Sequence, residues 1–476
     1  MMTLIALLSG TLYGLIIGII PAAGATTGLV GLFGVMSLFA FNPYAGVVFL
    51  MAVVAASTTG DTYAGILLGI PGANSAAATM IDGHPLALQG RATYALSAAI
   101  TTSTLNGLLW GGLVFLLLPY YTSLVLILGI PELWALVMLA LATVGFISTD
   151  SWVKSLCAIG LGLCLGFVGI DPVTGVDRLT FGWDYLAGGI QIMPIVAGLF
   201  AVPELLERFF SKSPDVPRLA GGQTKEGILA VWKFKWTALR GGFIGAFIGL
   251  LPGLGGAVSD WLSYGATVAL NPKEEFGNGN IKGVIGPEGS NNAQKATSMI
   301  PTVLFGIPGA SFAAVLMGLF AFLGFEMGAP GLAANTAFFT SMTLGFLGAT
   351  VLVAIICLVF NRHISKLLLI PFHYYFPVIM AFIIWSCMLY TGGISDLIIL
   401  LLFSALGVIM KKYRFSRPAL VMAYILSPRV ESLSIQMTTL YTFDTLIGRP
   451  IFITICALIV IVFIWSLLNK NRINYA

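Results

Sequence analysis

The sequence predicts an all-α polytopic membrane protein with two inverted structural repeats, broken or re-entrant helices and ten to fourteen membrane segments. The first supporting observation is composition: 58% of the 476 residues are hydrophobic and 9% are charged, whereas soluble domains carry roughly 25% charged residues. The second is that apolar runs of about 18 residues or more, each long enough to cross a bilayer, recur along the chain. The third is an internal repeat of Gly/Pro motifs.

Two Gly/Pro motifs occur twice, in the same order. Gly-Ile-Pro-Gly stands at residues 69–72 and 306–309, an offset of 237, and a G-x3-G-x2-P-x2-G pattern starts at Gly14 and Gly245, an offset of 231. Proline and glycine weaken helices. In lipid, the freed backbone groups are tolerated only where the break is buried in protein or lines a watery cavity. Matching interruptions in two halves of a hydrophobic chain indicate a transporter binding site.

The first membrane repeat is predicted to cover residues 1–206. A polar stretch at 57–61 is expected to interrupt its second long span. The small residues at 73–79 favour a re-entrant half-helix, and residues 82–91 are predicted to be a surface loop. The spans of this repeat are predicted at about 3–20, 44–69, 93–118, 132–148, 152–170 and 187–209.

Residues 207–240 are predicted to be a basic cytoplasmic linker between the repeats. They contain seven basic and three acidic residues, together with Pro214 and Pro217. The second membrane repeat, 241–476, begins again with the Gly/Pro pattern and contains a polar loop at 271–280. Its further spans are predicted at about 288–307, 333–360, 368–390, 394–410, 419–427 and 450–468.

The placement of Lys and Arg in short loops predicts the orientation of the chain. The linker and the loop 411–417 are strongly basic, so both are expected to face the cytoplasm. At the repeat offset, 411–417 corresponds to 174–180, which lies within the acid-rich loop 171–184. Equivalent loops of opposite charge bias indicate that the two repeats are inverted across the membrane.

Each Gly-Ile-Pro-Gly motif is predicted to precede a half-helix whose N-terminus binds an anion. The first turn of a helix presents unpaired N–H groups and the positive end of the helix dipole, and this combination favours anions. Two such ends that converge at the midplane suit a substrate with two or three carboxylates. The predicted substrate-binding residues are Pro71, Gly72, Ala73, Asn74, Ser75, Pro308, Gly309, Ala310 and Ser311.

A coupling cation needs oxygen ligands, which hard ions such as sodium prefer. Two polar stretches supply hydroxyls, amides and a carboxyl, and unwound helix there would add carbonyl oxygens. The predicted cation-binding residues are Ser57, Thr58, Thr59, Gly60, Asp61, Asn291, Asn292, Thr297 and Ser298. A proton-coupled version would depend on Asp61. No cofactor other than Na+ as coupling ion is predicted, because the five cysteines are scattered and show no metal-ligand spacing.

Several of these residues also have simpler interpretations. Small and hydroxyl residues in membrane helices are often packing contacts, and Asp61 can cap a helix segment that begins at Thr62. Lys295 can contact a carboxylate or extend to the membrane interface, while Asp260 and Glu288 are interpreted as structural caps. The net charge of +4 arises from loops and gives no indication of nucleic-acid binding.

Taken together, the motifs resemble one known family. They are Leu-Pro-Gly-Leu-Gly-Gly at 251–256, Asn-Pro-Lys-Glu-Glu-Phe-Gly at 271–277, Pro-Glu-Gly-Ser-Asn-Asn at 287–292, Asp-Gly-His-Pro-Leu-Ala at 82–87, and the two Gly-Ile-Pro-Gly motifs. In this order they resemble the large membrane subunit of tripartite tricarboxylate transporters, the TctA family. The departure lies in the first copy, where residues 21–24 are Pro-Ala-Ala-Gly and the family tends to have Pro-Gly-Leu-Gly.

The resemblance implies a multi-pass permease of the prokaryotic inner (cytoplasmic) membrane. It implies import of di- or tricarboxylates by symport with a cation, usually sodium, through alternating access. It also implies two partners besides the lipid bilayer: a small four-helix TctB-like membrane subunit, and a periplasmic TctC-like solute-binding protein that delivers the carboxylate.

Two further functions are weighed against this one. Gly60-Asp61 resembles the Gly-Asp signature of intramembrane aspartyl proteases, but that chemistry needs two carboxyls close enough to share a proton. The obvious partner, Asp260, has no matching motif and bulky Trp261 beside it. The other alternative is a proton-coupled transporter of another small organic anion. The sequence therefore predicts a transporter, not an enzyme.

Overall fold

The protein is described from a computed structural model. The residues that the structure describes are 1–20, 24–36, 39, 42–70, 76–125, 128–147, 151–171, 175–210, 222–253, 255–328, 332, 335–391 and 393–468. Most of them are helical, which confirms the predicted all-α polytopic class. Within these ranges, four helical segments are long and apolar enough to cross a membrane: Met2–Ile19, Pro43–Leu68, Thr79–Leu117 and Thr336–Leu368.

The first half of the chain contains ten α-helices among its described residues. Asn42 begins the central one by accepting the N–H of Ala45 at 3.1 Å, and Gly69, at φ 64°, ends it. A two-stranded antiparallel ribbon, β1 (Gly169–Ile170) and β2 (Asp177–Arg178), lies late in this half. The helices are α1 (Met2–Ile19), α2 (Gly24–Val30), α3 (Phe33–Met36), α4 (Pro43–Leu68), α5 (Thr79–Leu86), α6 (Ala92–Val125), α7 (Ile130–Ile147), α8 (Trp152–Gly166), α9 (Ile192–Val196) and α10 (Val202–Phe210).

The second half differs from the predicted spans in two places. Residues 224–240 of the predicted linker are helical, and the short span predicted at 419–427 is part of a 24-residue helix that continues through Pro428. The helices are α11 (Thr224–Lys233), α12 (Lys235–Leu250), α13 (Gly255–Ala269), α14 (Ile281–Thr297), α15 (Met299–Phe305), α16 (Ser311–Phe322), α17 (Thr336–Ile364), α18 (Phe372–Thr391), α19 (Ser395–Lys412), α20 (Arg417–Leu440), α21 (Phe443–Ile447) and α22 (Pro450–Leu468).

Glycines set the packing of two equivalent helix pairs. A Cβ at Gly10, Gly14 or Gly18 of α1 would lie 2.5, 2.6 or 2.2 Å from a carbonyl oxygen of α4, those of Phe49, Val53 and Ser57. A Cβ at Gly241, Gly245 or Gly249 of α12 would lie 2.1, 2.2 or 2.5 Å from the α14 carbonyls of Gly286, Ser290 and Gln294. The glycines differ by 231 residues and the carbonyls by 237. Each motif offset of the sequence therefore belongs to one helix of a pair.

The segment that begins at Asp82 was predicted to be a surface loop, and this prediction is wrong. Asp82 lies in α5 and is buried. Its Oδ1 accepts the N–H groups of Gly277, Gly279 and Asn280 at 2.8, 3.0 and 2.8 Å, and its Oδ2 accepts the Tyr264 hydroxyl at 3.0 Å. The carboxylate is buried because it organises the polar loop of the other half, a partner too distant in sequence to be predicted.

Candidate functional site

Four ionisable side chains lie together in the interior, and we call them the charged centre: Asp61 of α4, Asp260 of α13, and Glu288 and Lys295 of α14. Their exposed fractions are 1%, 0%, 0% and 4%. Buried charges are retained only where they are paired, hydrogen-bonded or functional. Three carboxyl groups face one ammonium here, so the group has an excess of acid.

Two of the three carboxyl groups have hydrogen-bond donors. The hydroxyl of Thr62 lies 3.1 Å from both oxygens of Glu288, which joins α4 to α14. One oxygen of Asp260 accepts the N–H of Ala78 at 2.6 Å, which joins α13 to the turn before α5. The predicted role of Glu288 and Asp260 as caps of their own helices is therefore wrong, because both receive donors from other elements.

Asp61 and Lys295 differ from the other two members. Neither oxygen of Asp61 and no proton of the Lys295 ammonium has a hydrogen-bond partner among the described residues. The charges of Lys295, Asp61 and Glu288 are nevertheless close enough to interact. The other buried side-chain oxygens near the charged centre that lack a donor in this part of the chain are Asp260 Oδ1, Asn291 Oδ1 and Asn292 Oδ1.

These unpartnered oxygens are the kind of ligand that sodium takes. Asn292 is oriented by its amide nitrogen, which donates to the Ser103 hydroxyl of α6 at 3.1 Å, so its Oδ1 remains available as a ligand. Within the described ranges, no group of three or more His, Cys, Asp or Glu side chains is arranged to hold a metal ion. The donor set therefore fits a weakly held alkali cation with mixed amide and carboxyl ligands.

The hydroxyls that were predicted to bind the cation serve their own helices instead. Ser57 and Thr58 both donate to the Val54 carbonyl at 3.1 Å, Thr297 donates to Ala293 at 3.0 Å, and Ser298 donates to Lys295 at 2.8 Å. The predicted interruption at 57–61 is wrong, since α4 is continuous from Pro43 to Leu68. Hydroxyls can bond to carbonyls three or four residues earlier without breaking a helix.

Gly60 and Thr59 complete the first predicted cation stretch. Gly60 lies against α1, where a Cβ would come within 2.8 Å of the Gly18 Cα, so its small size has a packing reason. Thr59 is buried. Because the carbonyls of this stretch stay inside a regular helix, any ligands here have to be side-chain oxygens. No contact establishes a transport role for these residues, and that role stays a prediction.

The break in the second half lies at residues 306–310. Helix α15 ends at Gly306, whose φ of 61° is left-handed, and α16 begins at Ser311. Gly309 packs directly on the end of α14, since a Cβ there would lie 2.6 Å from the Ser298 Cβ. Its N–H donates to the Thr302 hydroxyl at 3.1 Å. The N–H groups left for a ligand are therefore those that follow Gly309.

Both second-half motifs meet at this break. The N–H of Gly253, in the Leu-Pro-Gly-Leu-Gly-Gly motif, donates to the Gly309 carbonyl at 3.0 Å. Ala310, at the N-cap of α16, provides no side-chain cap. The first-half counterparts Pro71, Gly72, Ala73, Asn74 and Ser75 lie outside the described residues, so their predicted role in binding substrate remains a prediction.

Sequence reasoning missed Arg429, which closes the C-terminal end of α15. Its guanidinium donates to the Phe305 carbonyl and, at 2.9 Å, to the Met327 carbonyl. A cation is favourable at the C-terminal end of a helix dipole. The only signal in the sequence was an arginine beside Pro428 in an apolar region.

The charged centre extends to the start of α16 through Lys295. Its Nζ lies 5.7 Å from the centroid of the Phe312 ring, in the first turn of α16. The predicted extension of Lys295 to the membrane interface is wrong, because the side chain is buried. One ammonium group therefore stands between the buried carboxyl groups and the half-helix that was predicted to bind an anion.

Outside the apolar helices, the loop before α14 has its own ion pair. The Lys282 ammonium bonds to Glu274 and, at 2.8 Å, to Asn271 Oδ1. These bonds, with one from Asn280, hold the pKa of Glu274 below its usual value of 4.5. The polar loop is thus fixed to the first turn of α14, the helix that carries Glu288 and Lys295.

A polytopic all-α protein that buries an excess of acid beside a helix break has the organisation of an ion-coupled membrane transporter. A sequence profile of the tripartite tricarboxylate transporter TctA family matches residues 4–422. The chain belongs to this family, as the motifs predicted.

Two relatives from Agrobacterium vitis are similar along the chain. An uncharacterized 52.8 kDa protein in the TAR-I ttuC' 3' region is 31% identical over 430 residues, which cover 89% of this chain and 84% of the relative. An uncharacterized protein in the TAR-II ttuC' 3' region is 30% identical over 189 residues, which cover 39% of this chain and 78% of the relative. No solved structure matches the chain.

Proposed function

We propose that this chain is the large permease subunit of a tripartite transporter and imports di- or tricarboxylates by symport with a cation, sodium being the coupling ion. The observation that carries the proposal is the charged centre beside the start of α16. It combines unpartnered carboxyl and amide oxygens for a cation with a helix N-terminus and an ammonium for a carboxylate. Membership of the TctA family supports the substrate class.

The carboxylate is proposed to bind at the half-helix that begins at Ser311. The N–H groups of the first turn and the positive end of the helix dipole favour an anion there. Lys295 adds a full positive charge near Phe312. The masked counterpart in the first half would supply a second helix end, so a substrate with two separated carboxylates fits better than a monocarboxylate.

The sodium ion is proposed to bind within the charged centre. Asp61, Asn291 and Asn292 supply oxygens that have no donor in the described part of the chain. Since the hydroxyls of Ser57, Thr58, Thr297 and Ser298 donate to their own helices, they can contribute to the ion only as acceptors. These residues therefore stand second to the carboxyl and amide groups.

Alternating access is proposed to rest on two inverted repeats. The equivalent glycine contacts of α1 with α4 and of α12 with α14 support the repeat. The two partners and the inner membrane location are proposed with the family, because a tripartite system implies a small membrane subunit and a periplasmic binding protein. A protease function is disfavoured, because the family is a transporter family and one oxygen of Asp260 already holds the Ala78 N–H.

Uptake into proteoliposomes tests this function. The chain is reconstituted with its small membrane subunit and supplied with the binding protein and labelled di- and tricarboxylates. An inward sodium gradient is compared with potassium only. We expect sodium-dependent accumulation that Asn292→Ala or Ser311→Ala abolishes and that Ser432→Ala, on an exposed part of α20, leaves unchanged.

Two other results have distinct meanings. Accumulation driven only by a proton gradient would contradict the sodium coupling and assign the coupling to protonation of Asp61. Absence of uptake of every carboxylate, in a correctly assembled complex, would reject the carboxylate site. Asp61→Asn separates the remaining alternative, because a protease would lose all activity whereas a transporter should keep some substrate binding.

A further inference from the structure

Lys295 and Asp61 are the two opposite charges of the interior that lack hydrogen bonds within the described residues. Each is more than nine-tenths buried. Glu288, the other acid near Lys295, already holds the Thr62 hydroxyl with both oxygens, and Asp260 holds the Ala78 N–H. Asp61 is therefore the carboxylate most in need of a positive charge, and Lys295 is the positive charge that can reach it.

The same ammonium group has a second place to go. It lies 5.7 Å from the Phe312 ring centroid, and a cation within about 6 Å of an aromatic face is attracted to it. Phe312 lies in the first turn of α16, the proposed carboxylate site. A flexible lysine side chain can shift between these two environments without a change in the backbone.

A free cation and the Lys295 ammonium would compete for Asp61. Two positive charges close together in a buried site repel each other strongly, since the low dielectric screens them little. A sodium ion that binds Asp61 would therefore weaken the attraction that holds Lys295 there. The ammonium would then be stabilised best by a negative charge at the start of α16.

We propose that Lys295 is an internal cation that neutralises Asp61 until the coupling ion displaces it towards the start of α16. The inference rests on the proposed function, because the displaced ammonium would meet the substrate carboxylate there. It gives a physical reason for symport: the ion makes the carboxylate site more positive, and the bound carboxylate in turn favours the ion by the same factor.

Sodium binding to the assembled complex tests the competition without any transport. Thermal unfolding is followed while sodium replaces choline at constant ionic strength, and the sodium concentration at half-maximal stabilisation is recorded. Lys295→Met, which keeps the length of the side chain and removes the charge, should lower this concentration about tenfold, within the range usual for coupled sites. Lys295→Arg keeps the charge and should leave it within about twofold of the wild type.

Two further variants make the result specific. Lys282→Met removes a lysine from the other end of α14, where it pairs with Glu274, and should leave the sodium response unchanged. Asp61→Asn combined with Lys295→Met removes both unpartnered charges together, so that neither remains buried alone, and should abolish the response. This neutral pair keeps the test decisive if the single variant fails to fold.

The proposal is overturned if Lys295→Met leaves the half-maximal sodium concentration unchanged, or if the double variant still responds like the wild type. It is also overturned if neither the wild type nor Lys295→Met responds to sodium. These failures differ from failure of the proposed function. Carboxylate uptake can persist while the sodium competition is absent, and sodium competition can be present in a complex that takes up no carboxylate.

Discussion

At the residue scale, the contact between Thr62 and Glu288 connects the two halves of the chain inside the membrane. It is the hydrogen bond that leaves Glu288 satisfied while Asp61, one residue before Thr62, has no donor among the described residues. A carboxylate that is bonded in this way is held in one orientation. Asp61 is therefore the member of the charged centre that can change its partner.

Thr62→Val should lower the free energy of unfolding by about 1.5–3 kcal/mol, the usual contribution of a hydrogen bond to a charged group. Valine keeps the shape of threonine but leaves the buried Glu288 without this donor. Chemical denaturation in detergent measures the loss. Thr438→Val is the matched control, since this exposed hydroxyl bonds only to its own helix. Equal effects of the two substitutions would contradict the assigned bond.

The ion pair of the polar loop gives a pH dependence. Lys282 lowers the pKa of Glu274 from 4.5, so the folded state binds this proton less readily than the unfolded state. The stabilisation is therefore present above about pH 4.5 and is lost as the pH falls through the lower folded pKa. The difference in stability between wild type and Glu274→Gln should shrink over that acid range. A difference that stays constant from pH 7 to about pH 3 would contradict this.

The residues of the charged centre could be predicted from sequence only in part. Asp61, Asn291 and Asn292 were predicted because their residue types suit a cation. Glu288 and Lys295 were given other roles, because the direction in which α14 turns each side chain depends on its packing against α4 and α12. That packing arises from contacts more than 200 residues apart in the chain, which a single sequence does not reveal.

At the element scale, helices α1 and α12 act as flat surfaces for the two helices that carry the polar residues. Their glycines let the backbones of α4 and α14 approach closely, which in a membrane replaces the hydrophobic driving force between helices. The Gly/Pro spacing was predicted to mark a binding site. The structure shows that the glycines before the proline serve helix packing, while the break itself lies elsewhere, at residues 306–310.

Gly245→Ala should therefore separate α12 from α14. Its Cβ would lie 2.2 Å from the Ser290 carbonyl oxygen, a backbone atom that cannot move independently of the helix. Overpacking of this kind lowers the free energy of unfolding by about 1–3 kcal/mol. Gly265→Ala, in the neighbouring helix α13, is the control, because nothing lies within 4 Å of its Cβ. Stability in detergent distinguishes the two, and comparable losses would refute the packing argument.

At the scale of the whole molecule, several charged groups gather at one end of α8. Lys154, in its first turn, donates to the Tyr413 carbonyl at 2.8 Å. Lys411 pairs with Glu204 at 2.6 Å and also with Glu207. The start of α8, the end of α10 and the loop after α19 therefore share one side of the protein. This loop is the basic segment 411–417 that was predicted to face the cytoplasm.

The opposite end of α8 leads to the acid-rich loop. Arg178 of β2 pairs with Glu431 of α20 at 2.6 Å. Helix α20 starts at Arg417, beside the basic loop, and 14 residues of helix separate Arg417 from Glu431, or about 21 Å. The loops 171–184 and 411–417, which are equivalent by sequence offset, thus lie towards opposite ends of these helices. Such an arrangement is what inverted repeats require.

Labelling of single introduced cysteines tests this orientation. Gly175→Cys, in the exposed part of the acid-rich loop, should react with a membrane-impermeant maleimide in cells whose outer membrane alone is permeabilised. Lys412→Cys, beside the basic loop and equally exposed, should react only after the inner membrane is opened, because basic loops stay in the cytoplasm. The unsubstituted chain, with its five cysteines, gives the background. Labelling of both positions from the same side would refute the inverted arrangement, whereas exchange of the two results would keep the inversion and reverse the orientation.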